Sequence, residues 1–225
     1  MPHNGTAGVD AVDGFDSIVV VSPENTFRNE IVHLHRFREM GLRHYNLRKP
    51  LWSAEQIKAF IESMIPSDRS CVVLHNHHEL AVDAQIDGLH LRGASVASLK
   101  SVLPEAELRR IRSCSVHSLE ELRFAMDYPV SVLFGPVFPS ISKRNYNPAI
   151  DHDDLSRLLK QRRRSRVLAL GGVDASRVAA CRDIGFDGVA VHGAIWQASD
   201  PEGVFLSISR LCNVYFPPAN RSFRR

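Results

Sequence analysis

A single-domain α/β chain closing as a (β/α)8 TIM barrel is the fold class this sequence predicts, on three observations. Apolar, β-rich runs alternate with stretches of helical period along the chain. The runs are continuously apolar, as strands are in a parallel sheet covered on both faces. Eight such runs fit in 225 residues, a length at which barrels of this kind fold as one unit. A doubly wound open sheet is the runner-up.

Taken in order, "SIVVVS" (17–22) reads as a buried first strand. "TFRNEIVHLHRFREMG" reads as a helix stopped by Gly41. "HYNLR" (44–48) is the second strand, and a helix follows from Ser53, whose hydroxyl with Gln56 three residues on makes a capping box. "CVVLH" (71–75), "GLHL" (88–91), "RIRSCSV" (110–116), "VSVLFG" (130–135), "RVLALGG" (166–172) and "GVAVHGA" (188–194) supply the remaining strands. Helices are predicted in "SLEELRFAM" after Ser118, in "DHDDLSRLLKQRRR" after Asp151, in "DASRVAACRDIG" up to Gly185, and in "DPEGVFLSISRLC". "RGASVASLKSVLPEAEL" carries the weakest helical signal. Residues 1–15 read as a flexible extension, 16–216 as the barrel and 217–225 as a tail.

Composition narrows the function classes. A net charge of +3 and a pI near 8.8 are too mildly basic to argue for nucleic acid, but suit an anionic small molecule. "RRRSR", Arg162 to Arg166, reads as a solvated helix end complementing the dipole. Cys71, Cys114, Cys181 and Cys212 have neither metal-finger nor redox-motif spacing, so free buried thiols in a reducing, cytoplasmic setting are expected. No apolar run is long enough for a bilayer span, and no membrane partner is expected.

In such a barrel the chemistry sits at the C-terminal ends of the strands, with phosphate held after strands seven and eight. Gly171-Gly172 and Gly193-Ala194 stand there, where backbone N–H groups can approach phosphate oxygens. Arg48 ends strand two and Lys143 follows strand six, a pair of cations able to clamp a pyrophosphate. Ser115, Ser140 and Ser142 are neutral donors. In extended backbone Ser140 and Ser142 share a face opposite Lys143, so Lys143 reaches the cavity only if the loop turns. "HNHHE" places His75 and His77 on one face with Glu79 near, a metal-like spacing that more commonly marks a polar strand end. His90, His117 and His192 flank the same rim.

Taken in order, "SCSVHSLEEL", "FGPVFPSISK", "ALGGVD" and "DGVAVHGAIW", with weaker "NLRKP" and "HNHHELA…DGLHL", resemble the family of thiamin phosphate synthases and their thiazole tautomerase relatives. The resemblance implies a (β/α)8 barrel. It also implies ionisation of 4-amino-2-methyl-5-hydroxymethylpyrimidine pyrophosphate and capture of the cation by the nitrogen of a thiazole phosphate. Mg2+ and basic residues would hold the leaving pyrophosphate. By position, Arg48, Ser115 and Lys143 match catalytic residues, and Ser140 and Ser142 stand where threonines are usual. Gly172 and the Gly193 region match the thiazole-phosphate site.

Departures from the family pattern keep other readings open. Pro50 holds the place of a second lysine, and Lys49 is a neighbour whose side chain points elsewhere. An Asn-Asp pair aligns with His75-Asn76, and a further aspartate with Ser95, so Asn76 and Ser95 are weak metal candidates. A tautomerase histidine is expected directly after Gly135, where Pro136 stands. A divergent paralogue of tautomerase type, or a barrel that binds thiazole phosphate or thiamin phosphate without catalysis, are the alternatives. Homo-oligomerisation is left open, with "FPPANRSFRR" free to serve a partner.

Overall fold

The computed structural model describes residues 17–86, 88–92, 110–139 and 151–217. Eight parallel strands close into a barrel in sequential order: β1 (Ile18–Val21), β2 (Tyr45–Leu47), β3 (Val72–Leu74), β4 (Gly88–Arg92), β5 (Ile111–Val116), β6 (Ser131–Phe134), β7 (Arg166–Leu170) and β8 (Gly188–Val191). β1 pairs with β8 through Val19 and Ala190, which completes the ring and leaves no open edge. All eight sequence-predicted strands form. All but β4 are shorter than predicted, the last two at their C-terminal ends, where the chain leaves the sheet at Gly171 and at His192.

The helices are α1 (Glu30–Glu39), α2 (Ala54–Glu62), α3 (Leu119–Ala125), α4 (His152–Leu159), α5 (Val178–Ile184), α6 (Gly193–Trp196) and α7 (Pro201–Tyr215). Their starts follow local chemistry. Ser53 accepts from the backbone N–H of Gln56 and donates its own N–H to the Gln56 side chain, closing the predicted capping box. The side chains of Ser118, Asp151 and Asp200 likewise accept from first-turn N–H groups of α3, α4 and α7. "DASRVAACRDIG" is divided: 175–177 form a tight turn before α5 begins. In the arginine cluster, Arg163 does more than face solvent. It caps the Leu159 carbonyl and pairs with Asp187 at 2.8 Å, tying α4 to the entry of β8.

Alternation along the strands sorts the core into two layers. Ile18, Val20, Tyr45, Leu47, Val72 and Leu74 face outward and pack under the helices, with Leu34, Phe37, Ile57 and Phe205. Inside the barrel the lumen is divided. Val19, Val21, Leu133, Leu168 and Ala190 make an apolar half on β1, β6, β7 and β8. Asn46, His90 and Ser113 make a buried polar half on β2, β4 and β5. The four cysteines are buried and none forms a disulfide. Among the described residues no helix is long and apolar enough to cross a membrane.

Candidate active site

A cavity of about 640 Å³ opens at the C-terminal ends of the strands. Arg48, His75, His90, Ser115, His117, Gly171, Gly172, Gly193 and Ala194, all expected from sequence, line it, and so does His192. Asn76 departs from expectation. It is not among the lining residues, and its side-chain amide donates to the Lys49 carbonyl at 3.3 Å. Ser95, Ser140, Ser142 and Lys143 lie outside the described residues, as does all but Arg92 of the stretch 92–108 with the weakest helical signal.

The HNHHE cluster does not converge. His77 takes a left-handed conformation (φ 56, ψ 46), and its ring donates to the Trp52 carbonyl at 2.9 Å with Glu79 at 3.2 Å on its other nitrogen. His75 instead enters the barrel mouth and stacks on His90, with ring centroids 3.7 Å apart and planes 8° from parallel. The same-face spacing fails because the strand ends at Leu74, before His77.

Below the cavity floor runs a chain of polar side chains. His44 Nε2 lies 2.8 Å from Asn46 Oδ1, Asn46 Nδ2 lies 3.4 Å from His90 Nδ1, and Ser113 Oγ lies 2.8 Å from the same nitrogen. His90 Nε2 lies 3.2 Å from Ser115 Oγ. An amide N–H beside Nδ1 makes that nitrogen an acceptor, so Ser113 also donates to it and Nε2–H donates to Ser115. The Ser115 hydroxyl proton is then left for a cavity ligand.

Burial keeps these imidazoles neutral. Desolvation pushes His44 down to about 4, and desolvation with the fields of Arg48 and Arg92 pushes His75 down to about 3. His90 is held well below the ordinary histidine value, first by burial and then by its histidine neighbours. His192 is lowered too, mainly by desolvation. His117 sits differently: its Nδ1–H donates to the Gly135 carbonyl at 2.6 Å, leaving Nε2 for a ligand.

On the opposite side, the β6 and β7 loops pack together through their backbones. Val137 N–H donates to the Leu170 carbonyl at 2.9 Å, and Phe138 N–H to the Gly171 carbonyl at 3.2 Å. Gly171 and Gly172 have φ of 90 and 64, and a Cβ on Gly172 would lie 2.4 Å from the Pro139 carbonyl oxygen. Their glycine identity is therefore required by the fold. Gly193 differs, since an added Cβ would meet nothing nearer than 3.7 Å. It lines the cavity and begins α6, the short helix after β8.

Sequence reasoning missed two charged lining residues, Glu24 and Arg92. Arg48 Nη1 donates to the Glu24 carboxylate. Arg92 ends β4 on the same face as His90, two residues before it, a spacing that could have flagged it. Lys49 indeed turns away from the cavity: its ammonium is 2.6 Å from Glu30 and 4.8 Å from the Trp52 ring centroid.

The described residues do not fit a protein-held Mg2+. Glu24 is the one carboxylate among the described lining residues and is already engaged by Arg48, and no group of three His, Cys, Asp or Glu among the described residues is placed to hold a metal.

Comparison with known proteins agrees with this geometry. Residues 18–195 match the family model described as thiamine monophosphate synthase. The thiamine-phosphate synthase of Streptococcus suis is 31% identical over 170 residues, covering 74% of this chain and 70% of the relative. That of Bacteroides fragilis is 27% identical over 173 residues, covering 72% and 83%. Among solved structures, thiamine phosphate pyrophosphorylase from Bacteroides thetaiotaomicron superposes with a TM-score of 0.68 at 22% identity, covering 88% of this chain and 98% of that one. The Pyrococcus furiosus pyrophosphorylase gives 0.69 at 16% identity, covering 88% and 96%, and these two structures speak for the fold alone. A barrel with anion-suited groups at its mouth, matched by the family model over most of its length, thus belongs to the thiamine monophosphate synthase family.

Proposed function

We propose that the protein is a thiamin phosphate synthase that joins the pyrimidine pyrophosphate to thiazole phosphate. The observation that carries this reading is the polarity of the cavity. Glycine turns follow β7 and β8, while Arg48, His75 and His90 come from the run β2 to β4, and all line one cavity. The thiazole phosphate sits on the Gly172 and Gly193 backbones, and the pyrophosphate sits over Arg48. By the family resemblance, Lys143, Ser140 and Ser142 would also meet these anions.

The chemistry matches a neutral floor. The C–O bond to the pyrophosphate breaks with its electron pair on oxygen, and the thiazole nitrogen lone pair forms the new C–N bond. No proton moves at the reacting atoms, so no base is required. The chain's own contribution is positioning and charge stabilisation: Arg48 meets the charge growing on the leaving oxygen, and Ser115 donates its free proton to it. Mg2+, where it accompanies the reaction, would supply further neutralisation carried by the pyrophosphate itself.

The test is direct. Purified protein given both precursors should form thiamin phosphate, detected as thiochrome fluorescence. Arg48→Ala should lower turnover by about 100-fold, the scale on which one transition-state donor acts. No product beside an active synthase control would reject the reading. A second reading, proton transfer on a carboxylated thiazole phosphate, is favoured by His117, whose Nε2 is free of the Gly135 contact. Exchange of solvent deuterium into that substrate, without coupling, would select it.

A further inference from the structure

We propose that Arg92 and Arg48 together form a diphosphate subsite that works without a divalent cation. This rests on the synthase reading for its substrate, but its geometry stands independently. Arg48 follows Asn46 by two residues, and Arg92 follows His90 by two, so both extend the inward faces of their strands. Both line the same cavity. β3 alone separates β2 from β4, which puts their ends about 10 Å apart by two strand spacings. Two extended guanidiniums span that gap onto one diphosphate.

The ring between them belongs to His75, at the end of β3, and the charges of both arginines act on it. Its Nε2 is buried without a hydrogen-bond partner, an orphan of the kind a ligand satisfies. Arg92 is exposed and has no carboxylate partner among the described ion pairs, whereas Arg48 is held by Glu24. Among the described ion pairs, then, Arg48 is held by a carboxylate and Arg92 is not, with a neutral imidazole between them. Two guanidiniums bring the same total charge as one Mg2+, in planar forks suited to phosphate oxygens. When the C–O bond breaks, the electron pair settles on the diphosphate oxygen and these two cations oppose it. No proton or metal enters the balance.

Inorganic pyrophosphate binding, followed by titration calorimetry in EDTA and again with Mg2+, tests this. Wild type should bind in EDTA, with Mg2+ improving affinity by less than about threefold, while Arg92→Ala weakens binding about tenfold or more. Arg92→Lys should recover only part of the loss, since a point charge lacks the fork. Melting temperature and thiazole-phosphate binding should not change in either variant. Binding that requires Mg2+, or that Arg92→Ala leaves intact, overturns the proposal. Thiamin phosphate formation is scored separately: its failure beside metal-independent pyrophosphate binding would sink the synthase reading and leave the subsite standing.

Discussion

Lys49 and Glu30 are both almost wholly out of solvent, 2.6 Å apart, with Tyr45 donating to Glu30 and the Asn25 carbonyl accepting from the ammonium. Burial pushes Glu30 up and Lys49 down, and their pairing opposes both shifts. The pair lies behind Arg48 and fixes the strand end that aims it. Lys49→Met, which strands a buried carboxylate, should cost about 3–5 kcal/mol in urea unfolding, and Glu30→Leu added to it should restore much of that. Asn46 is the corresponding residue inside the lumen. Asn46→Leu should cost about 1–3 kcal/mol by removing the 2.8 Å partner of His44 and leaving it only Ser113 at 3.4 Å. Sequence alone named His75, His90 and Ser115 because they end or closely follow strands. It missed Arg92 and Glu24, and it placed Asn76 at the site. Which rim side chain turns inward depends on where each strand stops, and composition does not mark that point.

At the scale of elements, the helix starts and strand runs were the most readable features, because each is set by neighbours in sequence. Ser118 shows the local logic and its functional reach. Its hydroxyl accepts from Glu121 N–H at 3.1 Å, while the Glu121 carboxylate accepts from His117 N–H at 2.6 Å. The cap thus holds the backbone that carries a cavity histidine. Ser118→Ala should cost about 1 kcal/mol of stability, read as a lower denaturation midpoint. The β6–β7 loop pairing was less readable. Gly-Gly after a strand reads as a sign of phosphate, yet packing against Pro136 and Pro139 already demands both glycines. Gly193 carries the ligand argument better, because it lines the cavity and its nearest neighbour, the Gln197 side chain, would sit 3.7 Å from an added Cβ, so packing does not demand glycine there.

For the whole molecule, apolar runs separated by helices predict a parallel sheet covered on both faces, and their number, eight, favours closure over a doubly wound open sheet. The division of the lumen was not readable, because it arises from the register that sets His90 opposite Ser113 on β5. It has a consequence for stability. His44 and His75 have pKa values of about 4 and 3 in the folded chain, against 6.5 in the unfolded one. Below 6.5 the unfolded chain binds more protons, so stability present above that value is lost as pH falls toward 4 and 3. Melting temperature should fall steadily across that window, and replacing His44 with Gln should flatten the slope. A melting temperature independent of pH there would mean the imidazoles are not held neutral.

The central claim is that one cavity holds two anions on opposite sides, a phosphate on glycine backbone and a diphosphate between arginines. A crystal structure with thiamin phosphate and pyrophosphate, grown without divalent cations, tests it most directly. The account predicts the thiamin phosphoryl group against Gly172 and Gly193, and the pyrophosphate bridging Arg48 and Arg92 over His75. Pyrophosphate at the glycine turns, or arginines left pointing to solvent with the ligands bound elsewhere, would contradict it.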